Sequence, residues 1–483
     1  MTRLSPDSFF YTPRKFSRRA LLSEFACGFG YLAFCGLNAL SVGADSTTTR
    51  YVNPLAPKTP PLTPKAKRVI FLFMHGGVSH VDTFDPKPKL TEFDGQPLPG
   101  AKPAVTFAET GDLLKSPWSF RRYGKSGIEV SDLFPQVGSC IDDICVIRSM
   151  HADFVSHGGA GLQLQTGDGI SIRPSMGSWL LYGLGTENQN LPGFITISPP
   201  FYHGGAQNYG SAFLPAAYQG TRLGDINTPA SQAKIDNLQA ADVEQRLQLD
   251  LLQTRNRQHL LTTGNDTRLE ARIESYELAF RMQTEVPKVV DISRETKQTL
   301  ALYGIGEEPT DDFGRQCLMA RQFAEKGVRF IQVSHTHWDQ HSDLYKGHQS
   351  NAAKADKPIA GLLKDLKQRG LLDSTLVIWG GEFGRTPMIE DRKPIEQGSV
   401  GRDHHPFGFT MWMAGGGVKG GQVLGKTDDL GFHVVEDKIH VHDLHATILH
   451  CLGLNHEHLT FRHQGRNFRL TDVAGQVVHK LLA

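Results

Sequence analysis

One short segment concentrates side chains that can bind a metal ion or transfer a proton. It reads His335-Thr-His337-Trp-Asp339-Gln-His341 and directly follows an apolar run. Four potential ligands in seven residues are hard to explain by packing alone, because a buried imidazole or carboxylate is costly without a partner. We expect Asp339 and His341 to be metal ligands. A structural hydrogen-bond network is the alternative.

Three further polar clusters stand beside apolar runs. His75 begins a His-Gly-Gly sequence after the first run, and its glycines allow a ligand or metal to approach the backbone. Glu382 and Arg385 follow a later run; the carboxylate suits a metal, and the guanidinium has the fork geometry that binds sulfate, phosphate or carboxylate. A Glu–Arg ion pair is the alternative. Asp403 and His404 precede another run and are also ligand-like.

The apolar runs beside these clusters are typical of strands buried on both faces of a sheet. The first covers 68–74, and similar runs occur at 144–147, 194–197, 328–333, 375–379 and 409–413. Apolar residues at helical spacing occupy 311–326 and 351–369. This alternation predicts an α/β fold of the alkaline-phosphatase type, with a mostly parallel central sheet and helices on both faces. Ligands bind beyond the carboxyl ends of such strands, where most of the clusters lie.

Composition excludes one class of partner. The 51 Lys and Arg residues balance 50 Asp and Glu residues, so no broad basic surface for nucleic acid is expected. The spacing of Cys140 and Cys145 allows a short-loop disulfide in an oxidising compartment.

The amino terminus has the pattern of an export signal. Arg18-Arg19 precedes the apolar stretch 20–42, which contains no Lys or Arg, and the pair resembles a twin-arginine signal. A short membrane anchor is the alternative. We expect an export signal at 1–45 that engages the twin-arginine export machinery, a linker at 46–66, and a periplasmic or extracellular domain at 67–483. Within that domain, polar segments at about 220–300 predict a helical insertion.

The order of these motifs resembles the alkaline phosphatase and sulfatase superfamily. Residues 443–453 (DLHATILHCLG) are similar to its carboxyl-terminal helix motif, and residues 162–167 (LQLQTG) resemble the helix end that follows the sulfatase nucleophile. A closer resemblance is to an exported family of unknown function that bears twin-arginine signals and is commonly called sulfatase-like. The motifs that carry it lie at 75–85, 338–341, 381–387 and 401–404.

This resemblance implies a divalent metal site, with Zn, Ca or Mg as the ion. The implied ligands are His75, Asp339, His341, Glu382, Asp403 and His404. The sequence departs from the characterised enzymes, which have an Asp where His75 stands and a Cys/Ser-x-Pro-x-Arg nucleophile motif that is absent here.

Ser156-His157 precedes a predicted helix in place of that nucleophile motif. Ser156 is the candidate nucleophile, because a helix start favours an anionic ester. His157 is the candidate to replace it or to bind metal. Arg385 is the candidate to stabilise charge on the transferring group.

Two functions of different classes follow from these patterns. The first is a metal-dependent hydrolase of sulfate or phosphate esters, acting on a small-molecule or polysaccharide substrate. The second is a catalytically degenerate member that binds a glycan or a protein. A peptidase or amidase is less supported, because no HExxH helix is present. The hydrolase requires the predicted ligands to converge at one edge of the sheet.

Overall fold

The structure is a computed structural model that describes residues 53–100, 108–235, 243–263, 267–390 and 399–483. The predicted export signal at 1–45 lies outside the described residues. Residues 53–66, which belong to the predicted linker, contain no helix or strand, yet Leu55 and Ala66 are buried. Among the described residues, no helix has both the length and the apolar character that crossing a membrane requires.

The strands are numbered in chain order. They are β1 Arg68–Met74, β2 Thr110–Leu113, β3 Phe120–Tyr123, β4 Ile128–Ser131, β5 Ile144–His151, β6 Phe194–Ile197, β7 Thr221–Leu223, β8 Phe330–His335, β9 Thr375–Gly380, β10 Gly384–Arg385, β11 Met388–Glu390, β12 His404–His405, β13 Phe409–Ala414, β14 Gln422–Leu424, β15 Lys426–Thr427, β16 Val434–Glu436, β17 Ile439–His440, β18 Phe461–His463 and β19 Arg466–Phe468.

The α-helices are numbered in the same way. They are α1 Pro88–Glu92, α2 Pro135–Gly138, α3 His157–Thr166, α4 Met176–Leu184, α5 Val243–Thr263, α6 Thr267–Val290, α7 Lys297–Leu302, α8 Asp311–Glu325, α9 Leu344–Gln368 and α10 Val441–Cys451.

One mixed, mostly parallel sheet forms the centre of the fold. Its strand order is β14-β5-β13-β9-β1-β8-β6-β7, and β17 also pairs with β5. β1 lies parallel to both β8 and β9, whereas β13 runs antiparallel to β5 and β9. The predicted α/β class with helices around a mostly parallel sheet is confirmed.

Alternate residues of β1 face two different hydrophobic cores, as the two-residue period of a strand requires. Ile70 and Leu72 pack into the core that contains α8 and α9 residues, including Phe323 and Ile359. Phe71 packs into the core on the other face, together with residues of α3, α4 and α10. Burial of both faces explains why the strand is apolar throughout.

The two helices predicted from apolar spacing are present. α8 begins at Asp311, as predicted, and ends at Glu325. α9 begins at Leu344, seven positions before the predicted start at Asn351. Its first two turns are largely polar and exposed, so they carry no apolar pattern from which the start could be predicted.

The short-loop disulfide that the cysteine spacing allows does not form. Cys140 and Cys145 are both free and buried. Cys140 packs into the α8–α9 core and Cys145 into the opposite core, so the sheet separates their side chains.

Candidate metal centre

The candidate site converges on Asp339, in the loop after β8. The Nε2 atoms of three histidines face its carboxylate: His157 at 3.2 Å, His341 at 2.9 Å and His404 at 3.3 Å. Ligand atoms of these four residues all lie within 4.8 Å of one another. The Asp339 side chain is 38% exposed, so the cluster is open to solvent.

His157 enters the site as the first residue of α3. Its Nδ1 lies 2.7 Å from Oε1 of Glu382, which follows β9 and is fully buried. Glu382 also accepts a hydrogen bond of 3.0 Å from the backbone N–H of Gly76. The carboxylate therefore fixes the orientation of His157 and directs its Nε2 toward Asp339.

His341 is oriented in the same way by Glu390, at the end of β11. Nδ1 of His341 contacts Oε2 of this buried carboxylate. Glu390 was not predicted as a site residue, since it follows no apolar run or recognisable motif.

His404 reaches the site because β13 runs antiparallel to its neighbours, so the residues that precede β13 lie where β9 ends. The Nδ1 atom of His404 lies 2.7 Å from the carbonyl oxygen of Val155. A carbonyl only accepts, so Nδ1 carries the proton. Such an N–H···O=C bond on the far nitrogen is typical of metal-binding histidines.

Charges within the cluster shift the pKa values of its members. Burial would raise the pKa of Asp339, but hydrogen bonds with His157 and His341 hold it far below its usual range. Burial would lower the pKa of His157, but contacts with Asp339 and Glu382 raise it to about 9. Burial lowers the pKa of His404 to about 4, which makes this ring neutral at pH 7.

The tautomer of His404 suits a metal ligand. With the proton on Nδ1, Nε2 carries a lone pair and lies 3.3 Å from Oδ1 of Asp339. A cation bound between these two atoms would be coordinated by both.

Arg385 has a different environment from the anion-facing one expected from the sequence. It is fully buried, and its guanidinium donates to the carbonyl oxygens of Gly76, Gly77 and Arg402. Its Nη2 lies 2.5 Å from Oδ1 of Asp339. Arg385 therefore holds Asp339 in place, and its donors are engaged by the protein.

Three His-Gly-Gly sequences of the chain meet at this site, beginning at His75, His157 and His203. The rings of His157 and His203 stack with centroids 4.8 Å apart, and His203 Nδ1 lies 3.1 Å from His75 Nε2. His203 was not predicted as a site residue. The repeated tripeptide is the signal that identifies it.

The six predicted ligands therefore occupy three kinds of position. Asp339, His341 and His404 converge with His157, whereas His75 and Glu382 contact the cluster from its edge. Asp403 accepts hydrogen bonds from the backbone N–H groups of His404 at 2.7 Å and Ala108 at 2.9 Å. It also forms a compact group with His341 and Glu390.

Ser156, the predicted nucleophile, is exposed and immediately precedes α3. Its side chain makes no capping hydrogen bond to that helix. Both neighbours in the chain touch the cluster, because Val155 holds His404 and His157 faces Asp339. Ser156 is therefore placed beside the candidate centre.

Comparison with known families identifies the chain at the family level. Residues 66–482 match the family described as "Protein of unknown function (DUF1501)". The chain belongs to the DUF1501 family. No curated protein matches this DUF1501 sequence. Membership of a family of unknown function was expected, whereas the twin-arginine signal stays a prediction.

Solved structures similar to this DUF1501 chain include a lipoteichoic acid synthase, a sulfatase and an alkaline phosphatase. The lipoteichoic acid synthase LtaP from Listeria monocytogenes has a TM-score of 0.37 and 10% identity, covering 86% of this chain and 78% of its own. The PsFucS1 sulfatase from Pseudoalteromonas sp. has a TM-score of 0.33 and 14% identity, covering 82% and 68%. The alkaline phosphatase from the Antarctic bacterium TAB5 has a TM-score of 0.30 and 10% identity, covering 73% and 92%. TM-scores this low carry no inference about activity.

The donor set of the DUF1501 site fits a transition metal. Three imidazole nitrogens and one carboxylate, from His157, His341, His404 and Asp339, suit Zn²⁺ and related first-row ions. Ca²⁺ and Mg²⁺ prefer sets made of oxygen ligands. Of the ions expected from the sequence, zinc therefore fits these residues best.

Proposed function

We propose that this protein is an exported, metal-dependent hydrolase of sulfate or phosphate esters. The observation that carries the proposal is the convergence of Nε2 of His404 and Oδ1 of Asp339, two potential metal-ligand atoms that lie 3.3 Å apart within a group of four ligand residues. His157 and His341 complete the ligand set. A bound divalent ion would polarise the ester and lower the pKa of an attacking hydroxyl or water.

The residues around this ligand set provide the remaining parts of the proposed reaction. The Ser156 oxygen forms a bond to phosphorus or sulfur while the bond to the leaving oxygen breaks. The first N–H groups of α3 orient the anionic group, since a helix start carries partial positive charge. A water molecule accepts the Ser156 proton, and the leaving oxygen takes a proton from water.

A second water then hydrolyses the ester formed on Ser156 and releases sulfate or phosphate. Asp339 is held throughout by Arg385, and His157 by Glu382. The export route rests on Arg18-Arg19 and is part of the same proposal.

The proposal is tested with the purified protein and two substrates, 4-nitrophenyl phosphate and 4-nitrophenyl sulfate. We expect turnover of at least one ester, loss of turnover after chelation, and recovery with Zn²⁺ or another first-row ion. His404→Ala should lower kcat/KM more than about a hundredfold. His458→Ala, which alters an exposed histidine elsewhere, should leave it unchanged. A metal-loaded protein that hydrolyses neither ester contradicts the proposal.

A catalytically degenerate member that binds a glycan or protein is the second candidate. The position of Arg385 favours this candidate. Its guanidinium is buried and donates to carbonyl oxygens of the protein, so it is not available to bind a sulfate or phosphate group. Binding of an ester analogue by the metal-loaded protein, without turnover of either ester, distinguishes this function from hydrolysis.

A further inference from the structure

A cavity of about 290 Å³ lies beside the candidate metal centre. Its wall includes Ser198, which follows β6, and the segment Ser334–His337 at the end of β8. The same loop reaches Asp339 two residues later. The volume is at the lower end of the range for small-molecule sites, so the cavity fits one small chemical group of a ligand.

The floor of the cavity contains polar atoms that lack partners. Ser198, Ser334 and Gln316 are all more than nine-tenths buried. The two serine Oγ atoms and Oε1 of Gln316 make no hydrogen bond within the protein. Buried polar atoms without partners are costly, so a ligand that hydrogen-bonds to them would be stabilised.

The floor is uncharged. Nδ1 of His335 accepts a 3.0 Å hydrogen bond from Nε1 of Trp338, so its proton lies on Nε2, which can donate. Burial lowers the pKa of His335 to about 3. A charged ligand group would therefore lose its hydration on this floor without meeting an opposite charge.

Four charged side chains line the rest of the cavity. Glu308 and Lys354 are exposed, and the carboxylates of Asp225 and Asp312 accept hydrogen bonds from neighbouring residues of the protein. One apolar ring, that of Phe313, also lines the cavity. Hydroxyl donors, amide acceptors and a small apolar surface match a group that both donates and accepts hydrogen bonds and carries C–H bonds.

The backbone at this wall is held in an uncommon conformation. Ser198 has a φ of 49° and His337 has a φ of 72°. Both values lie in the left-handed region, where a residue with a Cβ atom has a higher conformational energy than glycine. Strained backbone of this kind is concentrated at ligand sites. It supports a ligand role for the cavity independently of the unpartnered atoms.

We propose that this cavity binds an uncharged, hydroxyl-rich group of the pyranose type. In the proposed reaction it holds the alcohol part of the ester, while the anionic part lies at Asp339. This second statement rests on the proposed function, whereas the binding of the sugar ring does not.

Binding is tested with methyl α-D-glucopyranoside, methyl α-D-galactopyranoside and methyl α-D-mannopyranoside in saturation-transfer NMR titrations of the intact protein. We expect at least one glycoside to bind and cyclohexanol not to compete with it. Ser334→Ala and Gln316→Leu should each weaken binding about tenfold, as loss of one hydrogen bond does. Ser149→Ala removes an equally buried, unpartnered hydroxyl from β5, outside the cavity, and should leave binding unchanged.

Absence of binding by all three glycosides overturns the proposal, as does wild-type affinity in both cavity variants. The titrations are repeated after chelation, so the result does not depend on a metal or on turnover.

A second assay compares glucose 6-phosphate and glucose 6-sulfate with the 4-nitrophenyl esters. Ser334→Ala should raise KM about tenfold for the hexose ester only, with kcat and metal content unchanged. An unchanged KM overturns the assignment of the cavity to the alcohol part. If no ester is hydrolysed, the proposed function is contradicted. The glycoside titrations still test whether the cavity binds a sugar ring.

Discussion

Nδ1 of His157 lies 2.7 Å from Oε1 of Glu382, although the two residues are 225 positions apart in the sequence. The buried carboxylate thereby selects which nitrogen of His157 faces Asp339. Carboxylate–histidine pairs of this type orient metal ligands and increase their basicity. Glu382 is in this account a positioning residue.

Glu382→Gln should weaken metal binding without unfolding the protein. The amide keeps the shape of the side chain but removes its charge, and changes of this kind typically cost about 10–100-fold in metal affinity. Competition with a chromophoric chelator measures the affinity, and circular dichroism monitors the fold. Glu92→Gln, at the exposed end of α1, is the matched control. Equal affinity in Glu382→Gln and wild type would contradict the positioning role.

Gly76→Ala should damage the centre through its backbone. Gly76 has φ +120°, and an added Cβ would lie 2.7 Å from the backbone N of Asp339. The strain and the forced shift should cost about 1–3 kcal/mol of unfolding free energy and reduce metal affinity.

Gly158→Ala is the matched control, because Gly158 occupies the same place in another His-Gly-Gly sequence. Its added Cβ would meet nothing within 4 Å, and an alanine in a helix is favoured by about 0.5–1 kcal/mol. Urea denaturation of both variants measures the difference. Equal losses of stability would refute the close approach at Gly76.

Arg385→Ala should destabilise the fold as well as the site. The guanidinium is fully buried and satisfies the carbonyls of Gly76, Gly77 and Arg402 and the carboxylate of Asp339. Leaving buried carbonyl oxygens without a donor costs about 1–3 kcal/mol each, which denaturant unfolding can detect. Arg121→Ala breaks a largely exposed pair with Asp132 and should cost at most about 1 kcal/mol. Similar values for the two variants would count against the structural role.

Acid should destabilise the protein partly through His445. Its Nε2 lies 2.8 Å from the carbonyl oxygen of Leu164, and burial lowers its pKa to about 3. The unfolded chain takes up this proton near pH 6.5, so stability is complete above that pH and falls as the pH drops toward 3. At pH 5 the loss from this group should be about 2 kcal/mol.

His445→Gln lacks this titration. Between pH 7.5 and pH 5, its unfolding free energy should therefore fall less than that of the wild type. The difference between the two falls should be about 2 kcal/mol. Urea denaturation at the two pH values provides the comparison. Parallel pH dependences would show that the pKa of His445 is not lowered in the folded protein.

The sequence predicts the core of the fold well. Strands such as β1 and β9 are buried on both faces, so their apolar runs are distinctive, and the helix predicted from Asp311 begins there. The predicted start of α9 is too late in the chain, because the first turns of this helix are polar and exposed and show no apolar spacing. The side of the sheet on which Cys140 and Cys145 pack depends on tertiary structure and could not be read from their spacing.

The candidate site was predictable where polar residues follow buried strands, as Asp339 and His341 do. The role of Glu390 could not be inferred, since it is defined by a single contact across the fold. His203 had a usable signal in the repeated His-Gly-Gly sequence. The buried position of Arg385 could not be predicted, because its guanidinium donates to three carbonyl groups that come from other parts of the fold.

One transition-metal ion is expected between Asp339 and the Nε2 atoms of His157, His341 and His404. Anomalous diffraction from crystals of the protein purified from its native host, recorded on both sides of the zinc, iron and manganese edges, tests this most directly. We predict a single anomalous peak within coordination distance of all four side chains, and its loss in His404→Ala. A well-ordered wild-type site without an anomalous peak, with protons alone between the histidines and Asp339, would contradict the account.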